Sequence, residues 1–220
     1  MSINECDIQA GQAVYTSLML KIYNTWVLAL SNRWIWRCPK KYQLQQFNQN
    51  ITANHLDIGV GTGYYLQCCK WPPNPTLALM DLNQNCLDYA KKAVAELKPT
   101  IYLHDIFKPK YELKNQFNSI SMNYLLHCLP GNMTTKEVTI ENSVAMLKPS
   151  GVLFGATILS DQNLHTVVSQ QLLNLYNRKK IFSNKQDNYQ ALQNSLKNYL
   201  HNVELQVIGC VLLFKGYKKF

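Results

Sequence analysis

From position 55 the chain reads His-Leu-Asp-Ile-Gly-Val-Gly-Thr-Gly-Tyr-Tyr. An apolar entry, an acid, then glycine at 59, 61 and 63 suits a strand that turns tightly into a helix. Glycine adopts positive φ at little cost and lets a ligand approach the backbone closely. The first turn of the helix that follows leaves N–H groups free. Register excludes two other nucleotide loops. A G-x-G-x-x-G fingerprint needs glycine at 64 or 66, where Tyr64 and Leu66 stand, and no Gly-Lys-Ser/Thr follows as a P-loop requires.

Strand and helix patterns alternate from that point on. Short apolar runs predict strands at 56–58, 76–80, 101–103, 117–122 and 151–158, and apolar periodicity predicts helices at 64–69, 84–97, 135–147, 164–176 and 189–200. Runs at 203–208 and 211–214 flank Gly209-Cys210 and read as a closing antiparallel hairpin. Upstream, Val14, Leu18, Ile22, Trp26 and Leu30 recur every four residues, so 8–48 reads as helical, broken by Pro39. Alternation of this kind builds a parallel sheet covered on both faces, with ligands beyond the carboxyl ends of the strands. Gly59, Gly61, Gly63, Asp81, Asp105, Asn123 and Tyr124 then share one rim.

Composition narrows the class further. A 220-residue chain with 47% hydrophobic residues supports one packed domain. No apolar run reaches the ~18 residues of a membrane span, and the polar start does not read as a secretory signal. Seven cysteines without a C-x-x-C pair fit a reduced, cytoplasmic protein. The formal charge of +9 is dispersed and contains no long basic tail, so a solvated surface is the simpler reading and an RNA partner the alternative.

Asp81 ends the second strand eighteen residues after Gly63, close to the ~20 at which a carboxylate of a nucleotide fold meets a ribose. Its alternative role is as a helix N-cap, which Asn83 can fill instead. His127, past the fourth strand, is the candidate general base, because histidine titrates near neutrality; a capping or packing role is its alternative. His104 reads as structural. No metal constellation appears, since Asp161 and His165 supply at most two of the three or four ligands needed.

Asp57, Gly59, Gly61, Gly63, Asp81 and Asp105 together resemble the motifs of the class I S-adenosylmethionine (SAM) methyltransferases, of the small stand-alone bacterial type that acts on small molecules. The resemblance spans about 55–217. It implies a Rossmann-like α/β fold, a seven-stranded, mostly parallel sheet with a terminal antiparallel hairpin. It also implies a helical lid over 1–50 ahead of a SAM-binding domain over 51–220. By similarity, Asp105 would accept the adenine amino hydrogen, Ile106 and Leu82 would border the cofactor, and Asp57 would hold the glycine loop near the methionine moiety. Asn123 would stand beside that moiety, and Tyr124 would join His127 at the methyl acceptor. Tyr15, Tyr23, Trp26 and Arg33 would line the acceptor from the lid, unless the aromatic stripe is plain helix packing. The stretch 177–184 would form a second wall or merely a helix end. The expected reaction converts SAM to S-adenosylhomocysteine while methylating O, N or S of a small, aromatic metabolite, by a monomer or homodimer. The rivals are a tRNA or rRNA methyltransferase and a SAM-holding module without turnover.

Overall fold

A computed structural model describes residues 33–219. Its sheet has seven strands: β1 (Asn54–Ile58), β2 (Thr76–Asp81), β3 (Thr100–Leu103), β4 (Phe117–Asn123), β5 (Leu147–Ile158), β6 (Leu200–Ile208) and β7 (Val211–Lys218). They run in the order β3-β2-β1-β4-β5-β7-β6. The first five are parallel to their neighbours, and β7 enters antiparallel between β5 and β6. The chain reverses its direction of travel across the sheet between β1 and β4, which opens the crevice used below.

Among the described residues six α-helices pack on the two faces: α1 (Lys41–Asn50), α2 (Tyr64–Cys68), α3 (Gln84–Ala93), α4 (Met133–Met146), α5 (Val167–Arg178) and α6 (Tyr189–Tyr199). Alternation along β1 and β2 sorts the faces. Leu56, Ile58, Ala78 and Met80 pack with Ile140 and Val144 of α4 and Leu192 and Leu196 of α6. Leu77 and Leu79 pack with Phe47 of α1 and Cys86, Leu87 and Ala90 of α3. A third cluster, under α5, joins Trp36, Cys38, Ile158, Leu173, Phe182 and Val211.

Differences from the expected elements have local causes. The helix expected over 84–97 ends at Ala93, and a 3₁₀ turn at Ala95–Leu97 carries the chain to Lys98, which closes it in the left-handed region at φ 47°. β5 starts four residues early, directly after α4. Its Pro149 has no N–H for the ladder, and the β4–β5 pairing shifts register there, between Phe117 and Ser119. Position 50 is not a break in packing. Trp36 and Cys38 are buried, Trp36 O accepts from Cys210 N at 2.8 Å, and Gln46 Nε2 donates to Phe214 O at 2.9 Å. The described part of the upstream segment therefore shares the core of the sheet. Residues 1–32, including Tyr15, Tyr23 and Trp26, lie outside the described residues.

Candidate active site

The glycine loop crosses from β1 to α2 with Gly59, Gly61 and Gly63 at φ of 74°, 51° and 70°. Gly59 N–H donates to Met80 O and Gly63 N–H to Val60 O, both at 2.9 Å, so the loop is a hydrogen-bonded turn. The three glycines differ in what a side chain would meet. A Cβ at Gly59 would come within 2.8 Å of Leu125, and one at Gly63 within 3.2 Å of Ala90. One at Gly61 would project into open space. That space is a cleft lined by the loop, Asp57, Asp81, Leu82, Asp105, Ile106, Asn123 and Tyr124, among others.

Three carboxylates stand at the ends of β1, β2 and β3. Asp57 is buried, and Ser121 Oγ donates to its Oδ1. Burial pushes its carboxyl up to about 7, the Ser121 hydrogen bond pulls it down and the charge of Asp81 adds to the rise. Burial likewise raises Asp81, to about 6, against backbone N–H groups of Asn83, Gly61, Val60 and Leu82 that lower it. The N-cap of α3 is Asn83, whose side chain accepts from Asn85 N at 2.9 Å. Asp81 Oδ1 accepts from Asn83 N at 2.9 Å, and its carboxyl also lines the cleft. Asp105 Oδ1 accepts from Phe107 N at 3.1 Å beside the buried Ile106.

On the β4 side the chain turns sharply at Tyr124, a non-glycine residue at φ 55°. Gln43 of α1, itself fully buried, donates from Nε2 to Tyr124 Oη at 2.5 Å and lies 3.1 Å from Cys38 Sγ. Burial raises the Cys38 thiol to about 12, so it is neutral. Next to Tyr124, both amide atoms of Asn123 are buried with no partner on the protein. An unmet amide costs about 1–3 kcal/mol. A bound ligand with a donor and an acceptor would recover that cost.

The Tyr124 turn sends His127 inward. It is not part of the cleft wall. Its Nδ1 lies 3.3 Å from Thr157 Oγ1 and accepts from Ile158 N at 3.4 Å, and its ring packs edge-on to Phe182 with centroids 4.4 Å apart. Burial lowers its pKa to about 3, which makes it a weak base buried apart from the cleft lining. Arg33 is exposed and also stands outside the cleft lining. The 177–184 stretch is an internal latch: Asn177 Nδ2 donates to Asn184 Oδ1, and Asn184 Nδ2 to Ile158 O, each at 2.9 Å. Behind it lies a buried ion pair that nothing in the sequence signalled. Lys136 Nζ meets Asp187 Oδ2 at 2.5 Å and Ser183 O at 2.6 Å. Sequence reading also missed Gln43, because its partner Tyr124 is 81 residues away.

A family model described as a methyltransferase domain matches residues 56–155, the span from the glycine loop to β5. Over 212 residues the chain is 39% identical to the physcion biosynthesis cluster O-methyltransferase of Aspergillus chevalieri, with 96% of each chain covered. The chain belongs to the class I SAM-dependent methyltransferases. This methyltransferase is also 32% identical over 208 residues to the demethylluteothin O-methyltransferase of Streptomyces thioluteus, covering 94% of this chain and 90% of that one. Its fold matches the N-methyltransferase NodS of Bradyrhizobium japonicum WM9, solved with S-adenosylhomocysteine, at TM-score 0.59 and 18% identity, over 82% of this chain and 86% of that one. SAM is its methyl donor, and it is a methyltransferase of the small-molecule kind. No helix among the described residues is long and apolar enough to cross a membrane.

Proposed function

We propose that this methyltransferase methylates an acidic hydroxyl, phenolic or enolic, on a small planar metabolite. Asp81 would hold the ribose of SAM, Asp105 the adenine amino group, Ile106 and Leu82 the faces of the base, and Asp57 and Asn123 the methionine end. The acceptor would enter between Tyr124, Cys128, Leu129 and Pro130. Bound SAM supplies a methyl group on a sulfonium, a strong electrophile. The protein's task is then to hold the acceptor oxygen in line at ~3–3.5 Å and keep water out.

What carries the reading is the character of that acceptor end. Among the described residues it presents an aromatic ring, a thiol and apolar side chains, with no carboxylate or imidazole. The titratable acids of the cleft, Asp57, Asp81 and Asp105, belong to the cofactor end, and His104 is turned onto Lys108 O at 2.9 Å. A wall without a strong base suits an acceptor that ionises by itself. A phenol, at a pKa of ~10, does so far more readily than an aliphatic alcohol. The two O-methyltransferase relatives named above agree with an oxygen acceptor.

The test compares kcat/KM for a phenol, an aliphatic alcohol and an amine built on one planar skeleton. The phenol should lead by at least about a hundredfold, a difference of some 2.7 kcal/mol in the barrier. Equal or better turnover of the alcohol or amine would overturn the proposal.

A further inference from the structure

On the α1 face of the sheet, just below the cleft, the core is polar where neighbouring positions are apolar. β1 offers His55 and Asp57, and the residues paired with them on β4 are Ser119 and Ser121. All four are buried. They form one unbroken chain. Ser119 Oγ lies 2.8 Å from His55 Nδ1, His55 Nε2 lies 2.9 Å from Ser121 Oγ, and Ser121 Oγ donates to Asp57 Oδ1. At the far end Ser119 Oγ accepts from Thr52 N at 3.0 Å and lies 2.8 Å from Thr52 Oγ1, which reaches Asn54 O at 3.1 Å.

Counting donors gives two complete patterns. With Asp57 ionised, Ser121 donates to the carboxylate, so its oxygen accepts from His55 Nε2–H. Nδ1 then accepts from Ser119, and Ser119 accepts from Thr52. With Asp57 protonated, every bond reverses: Asp57 donates to Ser121, Ser121 to Nε2, Nδ1–H to Ser119, Ser119 to Thr52, and Thr52 to Asn54 O. No group is stranded either way, and the imidazole is neutral in both.

We propose that His55, Ser119 and Ser121 are positioning residues that keep Asp57 hydrogen-bonded in two charge states. Asp57 is ionised when the cationic methionine end of SAM lies beside it and protonated when the cleft is empty, and His55 changes tautomer between the two. This rests on the placement of the methionine end beside Asp57 given above. Ionisation moves one proton along each link. Asp57 passes its proton to Ser121, Ser121 to Nε2, Nδ1 to Ser119 and Ser119 to Thr52. Thr52 Oγ1, half-buried at the amino end of the strands, releases one proton to solvent.

The surroundings favour such a pair of states. Rings of Phe47, Trp71 and Phe154 enclose His55, and burial lowers its pKa to about 3, so it does not take up a charge. The titratable groups facing Asp57 are Asp81 on β2 and Cys69 after α2. Asp81 opposes a second negative charge, and burial holds the Cys69 thiol neutral by raising it to about 12. A nearby cation is what tips the carboxyl to its ionised form.

Nitrogen NMR of the full chain at pH 6, assigned through the backbone, reads the tautomer directly. His55 should carry its proton on Nδ1 without SAM and on Nε2 with saturating SAM; one tautomer in both conditions overturns the relay. Calorimetry of SAM binding at pH 6 in buffers of different ionisation enthalpy should show more release than from Asp57→Asn by most of one proton, any remainder belonging to Asp81. Equal release from the two proteins also overturns it. Ser121→Ala should weaken SAM about tenfold, and Ser121→Thr, which keeps the hydroxyl, should restore most of that loss. An unchanged affinity in Ser121→Ala counts against the proposal. A chain that does not bind SAM at all would instead overturn the placement of the cofactor.

Discussion

The two halves of the cleft are built by different means. The cofactor half is made at the ends of β1, β2 and β3, where each strand gives way to a loop carrying its own functional group: the glycines, Asp81 and Asp105. Every one of these groups is held by neighbours within a few residues or by an adjacent strand. The half proposed for the acceptor is made at the end of β4 from Tyr124, Cys128, Leu129 and Pro130, and its Tyr124 is bonded to Gln43 of a distant helix. A site held locally tolerates change elsewhere in the chain, so one cofactor grip can serve many acceptors. A site held from afar can be reshaped without disturbing that grip.

If this division is real, substitutions should separate donor binding from turnover. The largest effect belongs to Gly61→Val. A branched side chain at φ 51° is strained, and its atoms would enter the open cleft. SAM binding should fall beyond detection by calorimetry, and normal binding would displace the glycine loop from the site. Removing the residues before Arg33 should abolish methyl transfer while SAM still binds. A cut at 33 rather than 40 keeps Trp36 and Cys38 in the core. Full turnover by the shortened, folded chain would show that the acceptor needs nothing ahead of Arg33.

Asp81→Ala should weaken SAM ten- to a hundredfold, for the loss of about 1.5–3 kcal/mol in charged hydrogen bonds. Gln43→Leu tests the other half. It should lower kcat/KM for the acceptor about tenfold while the Kd for SAM stays within about twofold, because the bonds lost, to Tyr124 and Cys38, lie away from the glycine loop, Asp81 and Asp105. Equal losses in both would mean that the halves are one unit.

The smallest effect is on stability. The unfolded chain ionises Asp57 near 3.8, the folded chain only near 7. Between those values the native state binds the extra proton, so stability from this position falls as pH rises, then levels off above 7. Asp57→Asn removes that loss. Without SAM, the variant's stability relative to the parent should rise steadily from pH 4 to pH 8, measured by urea unfolding. A constant difference across that range would show that Asp57 is not perturbed in the fold.

The same division explains what could be read from the sequence. The order of the elements and the cofactor half were legible because glycine spacing, strand-end acids and apolar periodicity are local signals. Asn83 was even identifiable as the cap of α3 in place of Asp81. His127 was expected on the rim because it follows β4, yet the left-handed turn at Tyr124 swings it beneath the surface against Thr157 and Phe182. No composition rule reveals such a turn at a tyrosine. His55 read as part of an apolar strand entry, since its two serine partners lie more than sixty residues on. Lys136 and Asp187, 51 residues apart, gave no sign of meeting.

The contact between Trp36 O and Cys210 N has a consequence for how the protein is made. The turn that receives residues near 36 is synthesised about 170 residues after them. At 5–20 residues per second, roughly ten seconds or more separate the two. Gly209 fits against the Trp36 and Arg37 carbonyls so closely that a Cβ there would come within 2.3 Å. Until that glycine arrives, the seat of Trp36 is incomplete, so this part of the core closes only after residue 209 has been made.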